Sequence, residues 1–264
     1  MVKIIITGVG GKMGAAVLHL ALKDKDFAVV GAVEAETHPL VGKGIDQIAG
    51  EVDSPFAIEG DLANIIAKCD VVVDFTEPST SLGYFRMARN NKKAIVIGTT
   101  GFPDNALAEI KGVKDAKVVI SPNMSVGMNL MFDVVEKLSK IMKDEYDIEI
   151  IEMHHKMKKD APSGSALRLK EAVQASDNSR KWIEVFGRKG IIGERKKEEL
   201  GIHALRGGDV VGEHTVMFAG AGERLEVTHR AYSRDNFARG ALLAAKWISR
   251  QGSGIYSMKD VLGI

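Results

Sequence analysis

Short runs rich in valine and isoleucine alternate with amphipathic stretches through the first 120 residues, and this rhythm constrains the fold more than any other feature. The runs Lys3–Thr7, Ala28–Val33, Val71–Phe75, Ala94–Ile97 and Lys117–Ile120 are apolar at successive positions. Strands buried on both faces of a parallel sheet require that pattern. Between them Met13–Lys23, Ser79–Asn90 and Asn105–Lys111 read as helices. Repeated β-α units predict an α/β fold with a doubly wound parallel sheet.

The rhythm changes after Pro122. Gly127–Lys143 reads as one long helix, with Met131, Val134, Val135, Leu138, Ile141 and Met142 at helical spacing. A strand, Tyr146–Met153, and a helix, Ser165–Ala175, follow. From Trp182 to Arg230, short alternating strands and many glycines predict an antiparallel or mixed sheet, hence a second α+β domain. Asp235 is expected to cap a last helix, Asn236–Ser249, and the charged run Glu194–Glu199 to be a solvated loop.

At 264 residues the chain can bury an ample core. Its 36 basic and 35 acidic residues give no global attraction to nucleic acid or to a membrane surface. Cys69 is the sole cysteine, so no intrachain disulfide can form. The opening Val-Lys-Ile-Ile-Ile-Thr reads as a strand rather than a signal peptide, and no apolar run approaches the roughly 18 residues of a membrane span. A cytoplasmic location is expected.

Gly8-Val9-Gly10-Gly11-Lys12-Met13-Gly14 lies between the first strand and the first helix. Glycines there let the backbone approach a pyrophosphate, whose charge the helix N-terminus stabilises. The spacing departs from G-x-G-x-x-G, because Met13 stands at the third glycine position and Gly14 follows it. Glu34, closing the second strand, stands where a carboxylate would accept hydrogen bonds from an adenosine ribose. Asp74-Phe75-Thr76, Gly98-Thr99-Thr100-Gly101 and Ser121-Pro122-Asn123-Met124 follow further strands. Ligands of open sheets bind beyond such strand ends, although the same residue types also simply make turns.

The other chemically loaded segment runs from Glu152 to Ser165 and contains His154, His155 and three lysines, then Pro-Ser-Gly-Ser at a helix start. Imidazoles donate protons near neutrality, lysines attract carboxylates, and helix N-termini bind anions. His154 and His155 can serve one site only if the strand ends or bends there, since adjacent side chains alternate. No third ligand sits at metal-binding spacing beside them, so no metal is expected. Lys156 and Lys159 read as surface charges. Gly164 and Ser165 could present N–H groups to a carboxylate or merely begin a helix. His19, His38, His203, His214 and His229 carry no motif.

Taken together, these segments closely resemble the dihydrodipicolinate reductase family. The resemblance spans the chain, through Asn123–Gly127, Glu152–Ser165, Arg206–Thr215 and Glu223–Arg234, and the histidine–lysine segment is its most specific part. It implies a Rossmann-type dinucleotide-binding domain from residues 1–124 and 235–264. A substrate-binding and oligomerisation domain would span 125–234 and assemble a homotetramer. It also implies reduction of 4-hydroxy-tetrahydrodipicolinate, or its dehydrated form, by NADH or NADPH in lysine biosynthesis. By position, Gly8, Val9, Gly10, Gly11, Lys12, Met13, Glu34, Gly98, Thr99, Thr100, Ser121, Pro122, Asn123 and Met124 would hold the cofactor. His154 would be the proton donor and Lys158 its catalytic partner. His155, Lys158, Gly164 and Ser165 would bind substrate carboxylates, with Ser165 where many relatives carry threonine. Ala35, where relatives that use NADPH well often have arginine, predicts a preference for NADH. Another two-domain Rossmann dehydrogenase, or a non-catalytic NAD(H)-sensing protein, is the competing reading.

Overall fold

The computed structural model describes residues 1–50, 56–142 and 144–264. Lys143, the last residue of the long helix expected from sequence, lies outside them. The chain divides into two compact units, Met1–Val126 with Arg234–Ile264, and Gly127–Ser233.

The first unit is built on β1 (Val2–Thr7), β2 (Phe27–Val33), β3 (Val71–Asp74), β4 (Ala94–Ile97), β5 (Lys117–Ile120) and β11 (Gly254–Tyr256). These form one parallel sheet in the order β11-β5-β4-β3-β1-β2. The unit's helices are α1 (Lys12–Lys23), the short α2 (Asp46–Ala49), α3 (Pro78–Asn90), α4 (Asp104–Gly112), α7 (Asp235–Ile248) and α8 (Met258–Leu262). Two apolar clusters lie against the sheet. One joins Val17 and Leu18 of α1 to Ala241, Ala245 and Ile248 of α7; the other joins Phe85 and Ala88 of α3 to Ile110 of α4. Strands with apolar residues at successive positions need both. The order reverses at β1, so β1 and β3 flank the topological switch point where open sheets take their ligands.

Buried Asp74 ties the carboxyl ends of these strands together. Its Oδ1 accepts from the hydroxyls of Thr7 at 2.6 Å and Thr76 at 2.7 Å, while Oδ2 accepts from Thr99 at 3.1 Å.

The second unit holds α5 (Val126–Met142), counted from its second residue, and α6 (Gly164–Gln174) against a mixed sheet. Its strands are β6 (Asp147–His154), β7 (Ile183–Val185), β8 (Glu199–Arg206), β9 (Gly212–Gly220) and β10 (Glu223–Ala231), in the order β10-β9-β6-β8-β7. β6 runs parallel to β8 and antiparallel to β9. Strand β6 alternates exposed and buried residues, with Ile148, Ile150, Glu152 and His154 facing inward. Met131, Phe132 and Val135 of α5 and Ala166, Leu169 and Val173 of α6 close over that face.

Three local expectations are corrected. Asp235 is the first residue of α7 rather than its cap: Arg234 occupies the cap position and makes no side-chain capping bond. The run 194–199 is not wholly solvated: Arg195 reaches Asp147 at 2.6 Å and Glu149 at 3.0 Å, and Glu199 opens β8 while pairing with Arg188. Strands β8, β9 and β10 are eight or nine residues long, not short. The edge strand β11 and helix α8 had no strong periodic signal.

Replacing Asp74 with alanine strips the acceptor from Thr7 and Thr76 and weakens the hold on Thr99. At roughly 1–3 kcal/mol for each buried polar group left unpaired, a loss of about 2–4 kcal/mol is expected. A fall in the urea midpoint checks this; an unchanged midpoint would show that the carboxylate does not hold the strand ends.

Candidate active site

In the first unit the glycine turn closes β1 onto α1. Gly8 takes φ +69°, which costs a side-chain-bearing residue. A Cβ on Gly14 would lie 2.1 Å from the Gly8 carbonyl oxygen, so only glycine lets the helix start so close to the strand. This explains the displaced third glycine: close packing is supplied one residue later, while Met13 packs against the core. Gly11 is the cap residue and provides no side-chain bond, and no acidic residue occupies the first turn. The positive end of α1 is thus left for an anion. Lys12 is exposed beside it.

Glu34 bends back over this turn. Its Oε2 accepts from the Gly10 N–H at 2.7 Å and its Oε1 from the Ala35 N–H at 2.9 Å. A Cβ on Gly10 would meet the His38 ring at 2.9 Å and Glu34 at 3.0 Å. His38 therefore sits at the glycine turn, although no motif marks it; only its nearness to Glu34 in the chain could have suggested the position. Its Nδ1 accepts from the Leu40 N–H at 3.3 Å, leaving Nε2 as the protonated nitrogen of the neutral ring.

The remaining residues of this group divide by what their side chains do. Val9 and Met124 are buried in the core, so only their backbones can face a ligand. Thr99 is buried on Asp74 and the Thr76 carbonyl, whereas Thr100 and Pro122 are exposed. Gly98 is needed for packing, since a Cβ there would strike the Phe75 ring at 2.1 Å. Ser121 donates to the Asn123 carbonyl at 2.8 Å, and Asn123 Oδ1 accepts from the Ser125 N–H at 2.8 Å.

In the second unit the chemistry gathers on the inward face of β6. Glu152 and His154 are two residues apart, so the pleat points them the same way. Glu152 has no exposed surface and is saturated: Oε2 accepts from His154 Nδ1 at 2.6 Å and Arg206 Nη1 at 2.8 Å, Oε1 from Arg206 Nη2 and the Ser163 N–H, each at 2.9 Å. Burial alone would raise this carboxyl, but the hydrogen bonds from His154 and Arg206 outweigh it and bring it down to about 2. It is therefore an anion near neutrality. A carboxylate only accepts, so His154 must carry its proton on Nδ1.

His154 Nε2 has no hydrogen-bond partner among the described residues and lies over Gly212, where a Cβ would come within 2.9 Å of it. Buried His214 stands edge-on to His154, with ring centroids 5.2 Å apart, and its Nε2 is 3.0 Å from Ser163 Oγ. Burial, with the neighbouring His154 charge, lowers His214 to about 3, so it stays neutral. Of the two rings, His154 is the one bonded to the carboxylate.

β6 ends at His154, which meets the condition for His155 to turn toward the same side. His155 is half-buried, with a buried Nδ1 that has no partner. Lys158 Nζ pairs with Asp160 at 3.0 Å, while Lys156 and Lys159 are exposed. Ser163 caps α6 by accepting from the Ala166 N–H, and Gly164 and Ser165 form the first turn. Glu152, Arg206 and Ser163 were given no role from sequence. The Glu-x-His spacing was the signal available for Glu152; nothing local pointed to Arg206, 54 residues away.

Comparison with known proteins bears on both units. A family model described as dihydrodipicolinate reductase, N-terminus, matches residues 2–124, and one described as dihydrodipicolinate reductase, C-terminus, matches residues 127–262. The 4-hydroxy-tetrahydrodipicolinate reductase of Syntrophus aciditrophicus is 48% identical over 265 residues, covering 100% of this chain and 99% of that protein. That of Geotalea uraniireducens is 46% identical over 266 residues, covering 100% of each. Among solved structures, a dipicolinate-bound dihydrodipicolinate reductase from Paenisporosarcina sp. TG-14 has a TM-score of 0.79 at 23% identity, covering 98% of this chain and 99% of that one, and shares the fold.

Proposed function

The chain belongs to the dihydrodipicolinate reductase family, and we propose how its own residues carry out the reduction of 4-hydroxy-tetrahydrodipicolinate in lysine biosynthesis. The reaction is an oxidoreductase's, and a nicotinamide cofactor, when bound, supplies hydride to an unsaturated carbon of the substrate. The first unit fits such a group: Gly8, Gly10 and Gly11 leave space that a Cβ would fill or strain, and the start of α1 has no capping side chain. Gly8 to Met13 would hold the pyrophosphate, Glu34 the adenosine ribose, and Gly98 to Thr100 with Ser121 to Met124 the rest of the cofactor. Residues 1–124 and 235–264 are accordingly the dinucleotide-binding domain, and 125–234 the substrate domain.

Hydride addition leaves negative charge on the conjugated imine–enamine system, and a proton must quench it. His154 Nε2 would deliver that proton; the observation that carries this reading is that Nδ1 is held by Glu152 while Nε2 has no hydrogen-bond partner among the described residues. Lys158 would exchange Asp160 for a substrate carboxylate, and His155, Gly164 and Ser165 would receive the carboxylates beside it. Replacing His154 with glutamine should lower kcat by about 10² to 10⁴, the usual worth of general acid catalysis, with the KM for cofactor little changed. The assay follows nicotinamide absorbance with the product of dihydrodipicolinate synthase as substrate. An unchanged kcat would remove His154 from the mechanism.

Ala35 offers no cation to a 2′-phosphate, and the Glu34 carboxylate would repel one brought close. NADH is therefore expected to give the higher kcat/KM, Lys12 compensating only in part. Clearly greater efficiency with NADPH would overturn the preference.

The face of the mixed sheet opposite α5 and α6 carries Ile151, Met153, Leu205 and Met217, with Thr215 and Thr228 hydroxyls bonded at 3.0 Å. Copies of the chain would meet on this face to form the family's homotetramer. Light scattering should then read about four times the 28.5 kDa chain mass; a monomer would refute it.

A further inference from the structure

Every hydrogen-bonding site on Glu152 is spent on holding something still, and one of those things is the ring of His154. We propose that Glu152, itself locked by Arg206 and the Ser163 N–H, is a positioning residue that selects the tautomer of His154 and holds its ring in place. This rests on the reading of His154 as proton donor and goes beyond it.

The argument is one of donors and acceptors. Arg206 grips the carboxylate through both Nη atoms, at 2.8 and 2.9 Å, in the two-pronged geometry that gives guanidinium pairs their directionality. Arg206 Nη2 also donates to the Asp160 carbonyl at 2.7 Å, so the guanidinium is anchored on the segment that carries Lys158. The Ser163 N–H fixes the other side of the carboxylate from the start of α6. With these contacts made, the lone pairs left on Oε2 point at His154 Nδ1.

Three consequences follow for the histidine. Its proton sits on Nδ1, so Nε2 is the nitrogen that exchanges protons with a substrate. The ring cannot rotate without breaking a charge-assisted bond of 2.6 Å. In its doubly protonated form the ring can give up the Nε2 proton while the carboxylate keeps the Nδ1 one. Neutral His214, set edge-on at 5.2 Å, fills space beside it without competing for the carboxylate. Titratable groups packed against His154 are Glu152 on its own strand and His214 from β9, with Arg206 from β8 behind Glu152.

Glu152→Gln tests this because glutamine keeps the shape and, through Oε1, the bonds from Arg206 Nη2 and the Ser163 N–H. Its amide nitrogen, however, would donate to Nδ1, forcing the opposite tautomer, and can no longer accept from Arg206 Nη1. We expect kcat to fall about tenfold or more, the scale on which losing a histidine's carboxylate partner is felt, while the substrate KM stays within about twofold. In a His154→Gln background, Glu152→Gln should cost nothing further. A wild-type kcat in Glu152→Gln, alongside an impaired His154→Gln, would overturn the positioning role and leave the proton donor standing. An unimpaired His154→Gln would instead overturn the donor, and the positioning role with it. Equal losses from Glu152→Gln in both backgrounds would assign the residue to the fold alone and overturn the proposal. If the buried Arg206 charge prevents Glu152→Gln from folding, the paired variant Glu152→Gln with Arg206→Gln removes both charges and is read by the same criteria.

Discussion

A carboxylate sealed inside a sheet is stable only if its lone pairs are matched by donors, and Glu152 meets that condition through donors from three separate places. They are His154 on its own strand, Arg206 at the end of β8 and the Ser163 N–H at the start of α6, with the Asp160 carbonyl steadying Arg206 from behind. The second unit depends on this interaction because it fastens the ends of two strands and the start of a helix around one charge. A buried pair broken by losing one partner is costly, commonly by about 3–5 kcal/mol, so the cluster tolerates little variation. That intolerance is useful at a reaction site, where a ring must be held in one orientation and one tautomer.

The first unit solves a similar problem with Asp74, which gathers threonine hydroxyls from the carboxyl ends of three neighbouring strands. There the result is a firm edge beneath a glycine turn whose backbone is shaped by close contact. Gly14 must pass within reach of the Gly8 carbonyl, and Gly98 must make room for Phe75. Residues that look like ligand contacts in a linear reading therefore have structural duties as well. Thr99 and Val9 are buried in those duties, and their contribution to a ligand is limited to the main chain.

The parallel sheet was legible because both-face burial forces an unbroken apolar run, visible in Val71–Val73 or Ala94–Ile97. The long helix α5 and the inward alternation of β6 were legible for the same reason: burial writes a period into the chain. The histidine–lysine segment stood out by residue type. Less could be read where partners are remote. Arg206 is unremarkable until β8 pairs with β6, and His38 until the chain folds it back onto Gly10. Arg195 looked like one charge in a mixed run, yet it is drawn inward by Asp147 and Glu149, which lie almost fifty residues earlier. Strand β11, three residues long, is held by pairing with β5 and has too few positions to show a period.

The central claim is that His154 carries its proton on Nδ1, held by an ionised Glu152, and exchanges protons at Nε2. Nitrogen-15 NMR of histidine-labelled protein reads this directly, with the His154 signals identified by their loss in His154→Gln. With the ring neutral, the account predicts a protonated Nδ1 and a bare Nε2. A neutral ring protonated on Nε2 would contradict it.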